Sequence, residues 1–153
     1  MAYNTEDTDW SEFEISAKSK DLISRFFQLL DTESDDVGDK LAEEIFTSDA
    51  KAEFGGKFFM GKEEIRKSRE NAWKVIDKRR HKVVKVFTST AEGQDLLIIG
   101  HVEMGFRNGN SLQGEFAGRL IIDGATGDSP KLTHYQVYAD TAPIARALAP
   151  PKS

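Results

Sequence analysis

The stretch Asp77-Lys78-Arg79-Arg80-His81-Lys82-Val83-Val84-Lys85-Val86-Phe87 decides the fold, because the spacing of apolar residues changes along it. Upstream of Asp77 apolar residues recur every three or four positions, the period of a helix. Downstream they fall into strand-like runs separated by glycine or polar clusters. His81 stands at this change of period. A side chain there can enter whatever space helices and sheet enclose, and imidazole is the group whose ordinary titration lies near neutral pH.

Reading back from the junction, the spacing predicts a third helix from about Lys62 to Asp77, burying Ile65, Ala72, Trp73 and Ile76. Gly61 precedes it, and Glu63 and Glu64 suit the positive end of its dipole. Lys51-Ala52-Glu53-Phe54 and Lys57-Phe58-Phe59-Met60 read as short strands around a Gly55-Gly56 turn. A second helix follows from Val37, Leu41, Ala42, Ile45 and Phe46. The first follows from Leu22, Ile23, Phe26, Phe27, Leu29 and Leu30, and Asp31 and Thr32 end its pattern. Residues 1–14 lack apolar periodicity and read as a flexible lead-in that Trp10 and Phe13 can tether.

Downstream, four runs at about 80–89, 95–107, 111–123 and 131–139 read as strands, with Asn108-Gly109 as a hairpin turn. The expectation is a single α+β domain over residues 15–141, with three N-terminal helices packed on a strongly bent, mainly antiparallel sheet. Residues 142–153 form a C-terminal tail, frayed from Leu148 onward.

Composition narrows the function classes. The 153 residues suffice for one core, and the absence of cysteine excludes disulfides, thiolate nucleophiles and cysteine-held metals. The longest aliphatic run, Leu96-Leu97-Ile98-Ile99, is too short to span a bilayer, and the acidic N-terminus does not match a secretory signal. A cytoplasmic protein with no membrane partner is expected. Net charge is −5, yet residues 62–85 hold ten Lys or Arg against four Asp or Glu. Pairs such as Glu63 with Lys67 and Glu70 with Lys74 explain much of that cluster as a solvated helix face. With no nucleic-acid-reading motif present, no nucleic-acid partner is expected.

The order of elements resembles the NTF2-like cone fold, in particular its SnoaL-like and scytalone-dehydratase-like members, over roughly residues 18–141. The local echoes are Phe26-Phe27-Gln28-Leu29-Leu30-Asp31, Glu43-Glu44-Ile45-Phe46-Thr47-Ser48-Asp49-Ala50 and Phe59-Met60-Gly61-Lys62-Glu63-Glu64-Ile65. His81-Lys82-Val83 and Tyr135-Gln136-Val137-Tyr138-Ala139-Asp140 complete the set. Each is a loose pattern of apolar spacing, so the resemblance carries the fold further than any activity.

Strand parity sorts the cavity side from the outer side. On the 95–107 run Ile98, Gly100, Val102, Met104 and Phe106 form an apolar face, which turns His101 and Glu103 outward unless a bulge intervenes. On the next strand Phe116, Gly118, Leu120 and Ile122 are the inner set, leaving Arg119 outside; an inward Arg119 would offer a cation to an anionic substrate. On the last strand the resemblance assigns Tyr135 and Val137 to the cavity.

His81 resembles the cavity histidine that scytalone-dehydratase-like proteins place at the start of this strand for acid–base chemistry, and Asp31 resembles their pocket aspartate. The plainer alternatives are a hydrogen-bonded edge histidine and a helix-stopping aspartate. Several family positions have changed. Where the dehydratases place tyrosines, this chain has Leu30 and Phe54, and their second catalytic histidine falls near Asn108. The tyrosine, general base and oxyanion-hole acid of ketosteroid isomerases correspond to Phe26, Phe54 and Gly118, none of which can do those jobs.

Other motifs fall away. Gly56-Lys57-Phe58-Phe59-Met60-Gly61-Lys62-Glu63 has phosphate-loop spacing, but Glu63 stands where a magnesium-binding hydroxyl is needed. No G-x-S-x-G elbow is present, and three histidines without ligand spacing make no metal site. The expectation is a cofactor-independent dehydratase, isomerase or cyclase acting on a hydrophobic, natural-product-like substrate. His81 and Asp31 would be catalytic. Phe26, Leu30, Phe54, Trp73, Val102, Met104, Phe106, Asn108, Arg119 and Tyr135 would contact the ligand. The rival is a non-catalytic ligand-binding or interaction domain of the same fold. The resemblance implies a homodimer under either reading.

Overall fold

A computed structural model describes residues 3–150. Helix α1 (Ala17–Leu30) buries Leu22, Ile23, Phe26, Phe27, Leu29 and Leu30, the stripe that the sequence spacing marks. Ser16 caps its start by accepting the Ser19 N–H at 3.1 Å. The Ser16 and Ser19 hydroxyls both donate to the Ala125 carbonyl, at 2.7 and 2.9 Å, and so pin this end of the helix to a loop of the sheet. The C-terminal end stops at Asp31, whose φ of −90° and ψ of 0° lie outside helical geometry.

The predicted second helix consists of α2 (Val37–Lys40) and a π-helical turn, Leu41–Ile45. It passes directly into β1 (Phe46–Phe54), so Phe46 is the first strand residue rather than the last helical one. β2 (Lys57–Met60) pairs antiparallel with β1 across Gly55 and Gly56, whose positive φ values of 60° and 80° are those of a tight hairpin turn.

The third helix is shorter than its spacing predicts. α3 (Gly61–Lys67) buries only Ile65, and the Ser68 hydroxyl donates to the Ile65 carbonyl at 2.6 Å, competing for the helical ladder. From there the chain advances by successive three-residue turns, with bonds from Glu70, Ala72 and Lys74 N–H groups to the carbonyls of Lys67, Arg69 and Asn71. Ile76, expected on the helix, already belongs to the next strand.

The long strands are β3 (Ile76–Thr88), β4 (Asp95–Phe106), β5 (Ser111–Asp123) and β6 (Lys131–Tyr138), close to the ranges that the sequence predicts. They join the hairpin in one open six-stranded sheet of order β2-β1-β6-β5-β4-β3. Only β1 and β6 run parallel. The result is an α+β fold in which α1 lies on the inner face of a mixed, mainly antiparallel sheet.

Phe26 is fully buried at the centre, edge-on to Phe46 and Tyr135 with ring centroids 5.5 and 4.8 Å away. Such aromatic pairs contribute about 0.5–1.5 kcal/mol each beyond their buried area. Ile98, Phe106, Phe116, Leu120 and Ile122 complete the inner face, as parity requires.

Two segments outside the expected domain take definite positions. Residues 3–9, read from sequence as a loose lead-in, lie along the free edge of β3. The Asn4 carbonyl accepts the Val83 N–H at 2.9 Å, the Asp9 N–H donates to Val84 at 3.0 Å, and the Asp9 carbonyl accepts from Val86 at 2.9 Å. These bonds cover edge groups that would otherwise template another strand. In the predicted tail, Ala142–Leu148 form helix α4, and the Asn108 and Asn110 side-chain amides both donate to its Ala147 carbonyl at 2.9 Å. Met1, Ala2 and the last three positions of the expected frayed tail lie outside the described residues.

The same arrangement accounts for the uneven charge. Arg66 reaches Asp39, Glu43 and Glu63, Lys62 reaches Glu43, and Lys82 and Lys85 meet Asp7 and Asp9. Four of the ten bases of residues 62–85 are thus matched by acids of the first third of the chain, across elements rather than along one helix face.

Candidate functional site

Asp31 leaves α1 with its carboxylate turned back over β3. Oδ2 accepts the backbone N–H of His81 at 2.8 Å, and Oδ1 lies 2.5 Å from the imidazole Nδ1. The Asp31 side chain is 1% exposed and that of His81 11%. A buried carboxylate that holds both the backbone and the ring of one histidine fixes its position and its rotation. Because an ionised carboxylate only accepts, the shared hydrogen belongs on Nδ1. Nε2, which makes no hydrogen bond among the described residues, is then the nitrogen that can take a proton.

The walls around the imidazole are aromatic. Phe27 lies 5.1 Å from it and Phe116 stands edge-on at 5.5 Å. Phe116 reaches that place because Gly100, across from it on β4, has no side chain; a Cβ there would lie 2.4 Å from the end of the Phe116 ring. Gly100→Ala is therefore expected to displace Phe116 and lose about 1–3 kcal/mol. The His81 ring resonances would shift with it, measurable by denaturant unfolding and by NMR of the variant.

Two groups complete the site that sequence reading did not single out. Tyr3, carried in by the lead-in segment and anchored through its N–H to the Ser24 hydroxyl at 3.1 Å, places its phenol against the Asp31 carboxylate. Burial, then the negative charge of Asp31, hold its pKa above the usual tyrosine value, so the hydroxyl stays a donor.

The second group is a pair of arginines. Arg79 donates from Nε and Nη2 to the Leu30 carbonyl at 3.0 and 2.6 Å and stacks over Trp73 at 4.6 Å. Arg69 reaches the same carbonyl at 3.5 Å and stacks over Phe54 at 5.3 Å. Parity would have found Arg79, two residues from His81 on one strand face. Arg69 had no such signal, because it lies in the segment read as helix, and Tyr3 had none because the lead-in has no period.

The expected ligand residues divide. Val102 and Met104 lie across β4 from His81 and Arg79. Trp73 and Phe54 carry the two guanidiniums, and the Leu30 carbonyl takes both. Phe26, Phe106 and Tyr135 are core residues, 0%, 1% and 3% exposed. Burial pushes the Tyr135 phenol well above its usual pKa, helped by the charge of Glu53, so it too remains protonated.

Asn108 and Arg119 are not brought to this site. Asn108 sits in the β4–β5 turn, bonded to α4. Arg119 faces the outer side, as parity favours, and binds Asp95 through Nε at 3.0 Å and Nη2 at 2.8 Å, so the inward alternative is not realised.

That outer pair carries a pH signature. Its hydrogen bonds, and then the Arg119 charge, hold the Asp95 pKa below the usual aspartate value. A depressed carboxylate contributes stability above its unfolded pKa and loses it as pH falls through the folded one. Arg119→Ala is expected to cost little stability at pH 7, since both partners are exposed to solvent. The difference from the parent should shrink toward zero on acidification below the usual aspartate range, in denaturant unfolding at several pH values.

Comparison with solved structures places this fold. An NTF2-like protein of unknown function from Burkholderia pseudomallei K96243 superposes with a TM-score of 0.68 at 12% identity, covering 88% of this chain and all of that one. A putative SnoaL-like polyketide cyclase from Jannaschia gives 0.66 at 13%, covering 90% and 96%. A hypothetical protein with a ketosteroid isomerase-like fold from Catenulispora acidiphila DSM 44928, in complex with trimethylamine, gives 0.66 at 14%, covering 84% and 93%. The fold is NTF2-like. No family model and no curated protein matches the sequence.

Proposed function

We propose that this protein is a cofactor-independent acid–base enzyme, a dehydratase, isomerase or cyclase, acting on a hydrophobic small molecule. The observation that carries the reading is the buried contact of Asp31 with both the ring and the backbone of His81. In this reading Asp31 orients the imidazole and balances its charge when Nε2 takes a proton from substrate, and the same ring returns a proton later in the cycle. Phe27 and Phe116 exclude water from the transfer, and Trp73 and Tyr135 position the ligand. Neighbours with this fold include a protein holding a small amine and a putative polyketide cyclase, which supports a small-molecule ligand.

The test is a turnover screen of hydroxylated and ketonic polycyclic compounds with the parent and His81→Asn proteins. His81-dependent water loss, double-bond migration or ring closure supports the proposal. Turnover that is equal in both proteins removes His81 from it.

One observation favours the rival, a binding domain without chemistry: the rings of Phe27 and Phe116 close directly on the imidazole. That reading predicts ligand binding that is indifferent to His81 and Asp31. Under either one, a second copy would cover the outer sheet face, where Phe87, Leu97 and Tyr138 stand 45%, 42% and 51% exposed. Among the described residues no helix is long and apolar enough to cross a membrane, which accords with the cytoplasmic location we propose.

A further inference from the structure

We propose that Arg69 and Arg79 form an anion site beside the His81–Asp31 pair, receiving a delocalised oxyanion, in the simplest case a carboxylate, on an apolar ring-bearing ligand. This deepens the proposed function by naming the charge class of its ligand, and it rests on reading the same interior as ligand-binding.

Four arginines with solvent-exposed side chains have carboxylates: Arg25 with Glu44, Arg66 with Asp39 and Glu43, Arg107 with Glu33, Arg119 with Asp95. Arg80 and Arg146 form no such pair among the described residues, but both are exposed and water can answer their charge. Arg69 and Arg79, both half-buried, form no such pair among the described residues, although a buried cation needs one most. What they share is one neutral oxygen, the Leu30 carbonyl at the end of α1.

Closing that helix end explains Arg79, which gives the carbonyl two hydrogen bonds. It does not explain Arg69, whose single contact is long at 3.5 Å and whose Nε, sealed from solvent, has no acceptor. The nearby acids are committed elsewhere. Asp31 holds His81, and Glu53 accepts the Val137 N–H at 3.0 Å. Burial, with Arg79 adding to it, pushes the Arg69 pKa down to about 9, the mark of a cation short of compensation.

The aromatic floor fixes the rest of the ligand. The Trp73 and Phe54 rings lie 4.6 and 5.3 Å from the guanidiniums of Arg79 and Arg69 and offer apolar surface beside them. Planar guanidiniums held in this way match the two oxygens of a carboxylate or an enolate, whereas a neutral alcohol would leave both charges unanswered.

The test uses 2-naphthoate and neutral 2-naphthalenemethanol as probes of the intact protein, with affinities from ligand-observed NMR titration. The acid is expected to bind about tenfold or more tightly than the alcohol. Arg69→Gln and Arg79→Gln should each abolish that preference, and Arg119→Gln, on the outer face, should not. Should Arg79→Gln fail to fold, Arg69→Gln carries the test, because the Leu30 carbonyl keeps its two bonds from Arg79. Equal binding of acid and alcohol, no binding of the acid, or acid binding unchanged in Arg69→Gln would overturn the proposal. His81→Asn separates it from the catalytic reading. An acid preference retained there with turnover unaffected would leave the anion site standing and remove the chemistry, and turnover lost there without any acid preference in the parent would do the reverse.

Discussion

Replacing His81 with alanine is expected to lower turnover by about 10²–10⁴-fold, the contribution typical of a positioned general acid or base. The fold should survive. His81 sits on β3, whose pairing with β4 runs through backbone groups, and its backbone N–H keeps Asp31 as acceptor after the ring is gone. The cost is expected to be about 1–3 kcal/mol, because Asp31 would lose one of its donors. Rate measurements beside a denaturant melt separate the two effects: a large fall in kcat with a modest shift in midpoint is the predicted pattern. If turnover and stability fell together in proportion, the histidine would be a structural edge residue.

Alanine at Asp31 should have the opposite balance. The carboxylate is almost fully buried, accepts from the His81 ring and backbone, and meets the Tyr3 phenol. Removing one partner of such a buried group costs about 3–5 kcal/mol. Three supports would be lost at one place: the acceptor for the His81 backbone N–H on β3, the docking of the lead-in through Tyr3, and the orientation of the imidazole. Asp31→Asn should be milder for stability but equally damaging to chemistry. One amide oxygen can still accept the His81 backbone N–H, yet the amide nitrogen then faces Nδ1 and drives the ring hydrogen to Nε2. The variant would keep its fold and lose its base.

The part of the molecule legible in the sequence was the part with a period. The α1 stripe, the four long strands and the Asn108-Gly109 hairpin repeat a pattern several times, so each position confirms the next. The end of α3 was not legible, because Ala72, Trp73 and Ile76 continue a helical spacing while Ser68 diverts the backbone into turns. The pairing of His81 with Asp31 came from resemblance and is present in space. Tyr3 was missed because the lead-in has no period and its course is set by bonds to Ser24 and β3, and Arg69 because the helical spacing around it runs on where the backbone breaks into turns. Arg79 was readable. It lies two residues from His81, and the parity applied to β4 would have turned it inward if applied to β3 as well. From Lys78 to Val83 the register is unbroken; it shifts before Lys78 and again beyond Val83, where the second shift leaves Val84 and Lys85 both outward and returns Val86 to the core.

Asp31 holds the His81 ring with its hydrogen on Nδ1 and leaves Nε2 free for proton exchange. A long-range ¹H–¹⁵N NMR spectrum of the histidine rings tests this directly. The neutral form of the His81 ring is expected as one fixed tautomer, with Nδ1 protonated, its hydrogen far downfield, and the pattern reversed in Asp31→Asn. An averaged pair of ring nitrogens like that of free imidazole, or a hydrogen resting on Nε2 in the parent protein, would contradict it.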